Sequence, residues 1–249
     1  MRNVKVVVEY DGADFYGFQY QPGVPTIQGE LERALSKMTK APVTVYGAGR
    51  TDAGVHAAGQ VTNFRTDGSI PTERVCAAMN ALLPRSISAI SAEEVPDDFH
   101  ARYSAVSRLY RYDILNRPVR SALLARYCWH VPQALDEEAM AEAAKPLVGV
   151  HDFAAFGSVE RDGDCTVRDC KSLCVERNGD HLIIDIRANA FLRSMVRAIV
   201  GTLTDIGLGR KSVSEIVGIL DSKDRSLCGA VSPPMGLCLV EVEYENEDG

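Results

Sequence analysis

The sequence predicts an α+β fold in which helices pack against one side of a sheet. Three observations carry that reading: short segments with two-residue apolar alternation, hairpin-length connections between them, and pairs of helical-period segments that interrupt the strand runs.

In order, Val4, Val6, Val8 and Tyr10 alternate with Lys5 and Glu9, the period of a half-buried strand, and Asp11-Gly12 supplies turn chemistry. From Thr26 the period changes. Ile27, Leu31, Leu35 and Met38 fall on one helical face, with Thr26 placed as N-cap after Pro25. A strand is expected at Val43 to Tyr46, then a Gly-rich loop from Gly47 to Gly54, then a strand near Gln60 to Thr66. A helix around Thr72 to Leu82 and a strand near Ile87 to Ser91 close the first half.

The second half repeats the order of elements loosely. Val106 to Leu115 reads as a strand with Tyr110, Tyr112 and Ile114 on one face, and Asp136 caps a helix that aligns Met140, Ala144 and Leu147. Strands follow near Val167 to Glu176 and Leu182 to Arg187, then a helix from about Ala190 to Leu203. Ser212 and Glu215 form a capping box for another helix ending near Leu220. Val240, Val242 and Tyr244 alternate with glutamates, so a final strand is expected with one face in water. No repeat exists at the level of residues, so two related halves, 1–104 and 105–249, are inferred from element order alone. No Gly/Ser linker separates them near residues 98 to 105, and a shared interface is expected.

Composition narrows the function classes. The chain of 249 residues is 46% hydrophobic and 24% charged, enough for one large core or two small ones. Its first ten residues lack the pattern of a cleaved leader, and no apolar run approaches the ~18 residues of a membrane span, so the default location is the cytoplasm. The seven cysteines are an odd, scattered set, unlike a disulfide scaffold. Cys165, Cys170 and Cys174 lack the C-x-x-C spacing of zinc sites and read as half-buried strand thiols; no metal is expected.

A net charge of −7 argues at first against a nucleic-acid partner. Its distribution argues otherwise. Acid gathers at Glu93, Glu94, Asp97 and Asp98, at Asp136 to Glu138, and from Glu241 to Asp248. Base gathers in Arg102, Arg108, Arg111, Arg117, Arg120 and Arg126, and again in Arg187, Arg193 and Arg197, which points to a local basic groove.

The segment richest in chemistry is Gly47-Ala-Gly-Arg-Thr-Asp-Ala-Gly-Val-His-Ala57, where three glycines surround Arg50, Thr51 and Asp52. Glycines let a backbone take positive φ and approach a ligand closely. A bare Asp-x-Gly is ordinarily a tight turn in which the aspartate caps its own backbone. The segment is not a dinucleotide fingerprint, because Asp52 stands where the third glycine belongs and a strand follows. Nor is it a Walker loop, since no Gly-Lys-Ser/Thr follows.

Gly49-Arg-Thr-Asp-Ala-Gly-Val-His56 resembles the signature around the catalytic aspartate of the TruA-type tRNA pseudouridine synthases. The likeness continues in Val95-Pro-Asp-Asp-Phe-His-Ala-Arg102, Arg108-Leu-Tyr-Arg-Tyr112, Ala188-Asn-Ala-Phe191 and Met195-Val-Arg-Ala-Ile-Val-Gly201, in the family's order across nearly the whole chain. It departs at Gly17-Phe-Gln-Tyr-Gln21, where Trp and Arg would be expected for Phe18 and Tyr20, which bears on how this loop meets RNA.

The resemblance implies two ferredoxin-like halves forming a central, mostly antiparallel sheet with helices on one side and an RNA-binding cleft on the other. It implies a homodimer that acts on tRNA without metal or organic cofactor, at positions thirty-eight to forty of the anticodon stem-loop. Asp52 is implied as the catalytic carboxylate, Arg197 as the basic residue paired with it, and Tyr110 as the aromatic that stacks on the base and helps remove the C5 proton. Arg50 is implied either to hold the target nucleotide out of its stack or to contact phosphate. Asn189, Phe191 and Arg193 are expected at or near a helix start, where they can line the pocket, with Phe191 equally readable as core. For His56, His100 and His151 structural hydrogen bonding is expected, since uridine isomerisation has no evident need for a titrating imidazole.

Overall fold

The computed structural model describes residues 1–159 and 165–245. Glu247 and Asp248, the acidic end of the tail, lie outside the described residues. Ten strands and five α-helices are present among the described residues, in an α+β arrangement with mostly antiparallel pairings. The chain divides into two compact units: Met1–Arg108 with the final strand from Cys238 onward, and Leu109–Leu237.

The first unit runs β1 (Arg2–Tyr10), α1 (Ile27–Thr39), β2 (Val45–Gly47), β3 (His56–Thr66), α2 (Thr72–Asn80) and β4 (Ile87–Val95). On β1, Val4, Val6 and Val8 are wholly buried, as their alternation predicts. The Thr26 hydroxyl accepts the Gly29 amide at 3.2 Å and starts α1, whose buried face is Ile27, Leu31, Ala34 and Leu35. Strand β1 lies between β4 and β3, antiparallel to both, and β2 pairs antiparallel with β3. The order β4-β1-β3-β2, reached by a βαββαβ path, is a ferredoxin-like unit.

In the second unit β5 (Ala105–Leu115), which enters it from the first, is followed by β6 (Trp129–His130), α3 (Glu137–Ala144), β7 (Gly149–Asp152), β8 (Val167–Asn178), β9 (His181–Ala188), α4 (Met195–Gly207) and α5 (Glu215–Ser222). The order β5-β9-β8 repeats β1-β3-β2, and β7 extends the sheet beyond β8. Asp136 accepts the Ala139 amide at 2.9 Å to cap α3. Helix α4 is buried on every side except at Arg197 and Asp205, so it is an interior helix of its unit. The last strand, β10 (Leu237–Tyr244), returns to the first unit and runs parallel to β3, with Cys238 opposite His56 and Leu239 opposite Ala57.

Several expectations needed correction. Helix α4 begins at Met195, not near Ala190, because the backbone before it is committed elsewhere. Arg193 exchanges both backbone hydrogen bonds with Ser158, Asn189 donates its amide to the Asp169 carbonyl, and Ser194 is left-handed at φ 61°. Strand β2 begins at Val45, since the Val43 amide is taken by the Ser36 hydroxyl. At α5 only half of the capping box forms: the Glu215 carboxylate accepts the Ser212 amide, and the Ser212 hydroxyl turns to that carboxylate instead of a helix amide. Of the three grouped cysteines, Cys170 is buried and Cys165 and Cys174 are exposed, not half-buried.

Candidate active site

The Asp52 loop lies wholly in the first unit, between the end of β2 and the start of β3. Gly47 in the loop and Gly12 facing it stand where other groups come too close for a side chain. A Cβ on Gly47 would fall 2.4 Å from the Phe18 ring, and one on Gly12 would fall 1.9 Å from the Val55 carbonyl oxygen. Gly17 (φ 96°) and Gly54 (φ 78°) take the left-handed region directly. The chain from Phe15 to Phe18 is laid along the loop: Phe18 N donates to Thr51 O at 3.0 Å and Gly54 N to Phe15 O at 3.3 Å. Phe18, where the resemblance leads one to expect Trp, is therefore a buried support for the loop, while Tyr20 is exposed.

From the other side the loop is held by side chains of β1 and β3. The fully buried Gln60 donates from Nε2 to Gly49 O at 2.8 Å and accepts the Gly49 amide on Oε1 at 3.2 Å. The Tyr10 hydroxyl lies 2.9 Å from Thr51 Oγ1, and burial pushes its phenol pKa up, so it stays protonated. Asp52 is half-buried, next to buried Thr51 and exposed Ala53, and its carbonyl accepts the Val55 amide at 3.2 Å. Arg50 is exposed.

The other candidates belong to the second unit. Tyr110 on β5 is 7% exposed, and its ring meets Phe191 edge-to-face, centroids 5.0 Å apart at 82°. Tyr112, two residues on, is wholly buried; it packs edge-to-face on Trp129 and donates its hydroxyl to Pro233 O at 2.7 Å. Arg197, in the first turn of α4, donates from Nε to Ser232 O at 2.8 Å, and its own carbonyl accepts the Ser232 amide. The Asn189 side-chain oxygen accepts the amides of Asp169 and Ala190 at 3.0 and 2.8 Å. Asn189, Phe191 and Arg193 thus lie in an extended segment ahead of α4, not on the helix, and Tyr110 and Phe191 are brought into contact.

Not every arginine of the cluster reaches the surface. Arg108 is 7% exposed, and its guanidinium donates to the carbonyls of Ala48, Arg102 and Ala105. Arg111 makes a two-point pair with Asp185 at 2.8 and 2.7 Å, and Arg117 bonds Asp180. Arg120 and Arg126 are exposed. The histidines make structural bonds: His56 Nδ1 accepts the Gly12 amide at 3.2 Å, His100 Nδ1 accepts the Arg102 amide, and His151 Nε2 contacts Val148 O. Burial holds the His100 pKa below its ordinary value.

Gln60 and Tyr10 are functional candidates that the sequence did not reveal. A glutamine in a strand reads as a water-facing residue, and only the nearly continuous burial of β3 shows that it points inward.

Residues 6–104 and 143–245 match the family described as tRNA pseudouridine synthase. A tRNA pseudouridine synthase A of Thermoanaerobacter sp. (strain X514) is 46% identical over 244 residues, covering 98% of this chain and 100% of that protein. A tRNA pseudouridine synthase A 2 of Clostridium perfringens is 44% identical with the same coverage. One from Pseudoalteromonas atlantica is 46% identical over 95% of this chain and 90% of its own length.

Proposed function

Since this chain belongs to the tRNA pseudouridine synthase family, we propose that it isomerises uridine to pseudouridine at positions thirty-eight, thirty-nine and forty of the tRNA anticodon stem-loop, with Asp52 as the reacting carboxylate. The observation that carries the assignment is the Gly47–Gly54 loop. Its backbone is anchored at Gly49, Thr51 and Gly54 by hydrogen bonds, which leaves Asp52 half-buried at its turn.

The reaction breaks the bond from N1 of uracil to the ribose C1′, turns the base and forms a bond from C5 to C1′. The C5 proton leaves and N1 gains one, so no external reactant enters. An ionised Asp52 can attack the sugar, abstract a ribose proton or add to the base; each route needs a fixed carboxylate and a held uracil. In this reading the first half, 1–104, supplies that carboxylate. The second half, 105–249, supplies Tyr110 for stacking and proton transfer, Arg197 as partner of the charge, and Asn189, Phe191 and Arg193 for binding. Edge-to-face support from Phe191 favours a fixed Tyr110 ring. Arg50, exposed beside the anchored Gly49, contacts the RNA of the target nucleotide. The enzyme works in the cytoplasm as a homodimer.

The test is to incubate purified protein with unmodified tRNA transcripts, without added cofactor or metal, and to map pseudouridine by carbodiimide-primer extension. Modification at the three anticodon-arm positions is expected. Modification confined to another arm would overturn the positional assignment, and none at all would overturn the activity.

A further inference from the structure

We infer that Gln60 and Tyr10 are positioning residues for the reaction: together they fix the three residues before Asp52 and so set where its carboxylate stands. This rests on the reading of Asp52 as the reacting group.

Gln60 is wholly buried, and a buried amide is costly unless its donor and acceptor are both used. Here both go to one residue. Nε2 donates to Gly49 O at 2.8 Å while Oε1 accepts Gly49 N at 3.2 Å, a two-point bond that mimics a strand pairing at Gly49. Nε2 also reaches the Tyr10 hydroxyl at 3.4 Å, and that hydroxyl lies 2.9 Å from Thr51 Oγ1. Gly49 and Thr51, the residues on either side of Arg50, are therefore tied to β3 and β1. Those strands are themselves paired, with Val8 opposite Gln60 and Tyr10 opposite Ala57. A site held from paired strands keeps its geometry better than one held by a loop alone, and an ångström of drift at a reacting group costs about a hundredfold in rate.

The pattern of bonds makes a chemical demand that separates positioning from mere packing. At residue 60 the side chain must donate at one atom and accept at the other. An amide does so, a protonated carboxylic acid does so, and a carboxylate or a thioether does not. In Gln60→Glu, burial and the facing Gly49 carbonyl oxygen raise the carboxyl pKa, so the neutral acid forms as pH falls and both bonds return.

The experiment uses the full chain and unmodified tRNA transcript, measuring single-turnover rate with enzyme in excess, tRNA affinity and melting temperature. Gln60→Met is expected to lose about a hundredfold in rate with affinity within a few fold of wild type. Tyr10→Phe, which keeps the ring and removes the hydroxyl, is expected to lose about tenfold. The rate of Gln60→Glu divided by that of wild type should rise about tenfold from about pH 8 to about pH 6, while the Gln60→Met ratio stays flat. Wild-type rates in Gln60→Met and Tyr10→Phe, or a flat Gln60→Glu ratio, would overturn the inference. If Gln60→Met does not fold, the Tyr10→Phe rate and the Gln60→Glu pH ratio decide. Asp52→Asn in the same assay keeps the two claims apart. An inactive Asp52→Asn beside fully active Gln60 and Tyr10 variants refutes the positioning role alone, whereas an active Asp52→Asn refutes the reading beneath it.

Discussion

The loop that carries Asp52 and the segment that carries Asn189 to Arg193 solve one problem in different ways. Each is irregular backbone beside a strand, and each needs partners for its amides and carbonyls. The Asp52 loop takes them from the Gln60 side chain, from β3 and from the backbone of the facing stretch Phe15 to Phe18, while the Tyr10 hydroxyl holds Thr51 by its side chain. The second segment takes them from backbone, at Ser158 and Asp169, with the Asn189 side chain closing the turn. A loop held by side chains can be loosened one atom at a time without unfolding a strand. Backbone pairings, such as Arg193 with Ser158 or Phe18 with Thr51, offer no such handle, so substitutions at Gln60 and Tyr10 separate rate from stability more cleanly.

The sharpest break of that comparison is Asp52→Asn. The amide is isosteric and a much poorer nucleophile and base, so the expected result is a loss of at least ~10³-fold in turnover with tRNA affinity within a few fold. Pseudouridine formation in the tRNA, measured at saturating tRNA, checks it. Retained turnover would remove Asp52 from the chemistry and leave the loop as a binding element only.

Tyr110 tests the second unit by one atom. If its hydroxyl helps move the C5 proton, Tyr110→Phe should bind tRNA normally and lose about a hundredfold in turnover, the lower range for a positioned acid or base. Tyr110→Leu should lose the ring as well, at a further ~1–3 kcal/mol of single-base contact. A ring that merely fills space against Phe191 predicts the reverse: a Phe variant with near-normal turnover and any change confined to melting temperature.

What was legible followed from period and caps. The alternation of Val4, Val6 and Val8, the caps Thr26 and Asp136, and Gly47 and Gly54 beside Asp52 each state a local requirement, and each was met. The start of α4 was not legible. Ala190 to Ser194 has helical composition, and what stops the helix is tertiary: pairing of Arg193 with a serine 35 residues earlier. β6 and β7, at two and four residues, are too short to show a period. At the site, Asp52 was singled out by the resemblance, since a bare Asp-x-Gly reads as a tight turn, and Gln60 was invisible because its position depends on which face of β3 is buried. Arg108 misled for the same reason, since a charged residue in a sequence reads as wet whether or not carbonyls await it.

That last point gives two predictions that divide the arginines. Arg108 satisfies the carbonyls of Ala48, Arg102 and Ala105 from a buried position, so Arg108→Met should cost about 3 kcal/mol of stability by orphaning them. Thermal unfolding should register that as a fall of roughly 5–10 °C, with the salt dependence of tRNA binding unchanged.

The smallest effect belongs to Arg120 and Arg126, which are exposed on the stretch that follows β5. Each phosphate contact contributes about 0.7 to 0.9 to the steepness of log affinity against log salt, because a bound guanidinium releases a condensed counterion. Arg120→Gln should therefore flatten that slope by about 0.7 to 0.9 while leaving melting temperature and saturated turnover alone, and Arg126→Gln should flatten it by no more than that. Arg111, already paired with Asp185 at two points, should flatten it less, since its charge is partly spent inside the protein. Titrating tRNA affinity from low to physiological salt in the three variants ranks them directly. If Arg111→Gln flattened the slope as much as the exposed pair, the aspartate contact would have to open when RNA binds. If neither exposed arginine moved the slope, the contacts to phosphate would have to come from outside the 102–126 stretch, with Arg50 and Arg193 next to test.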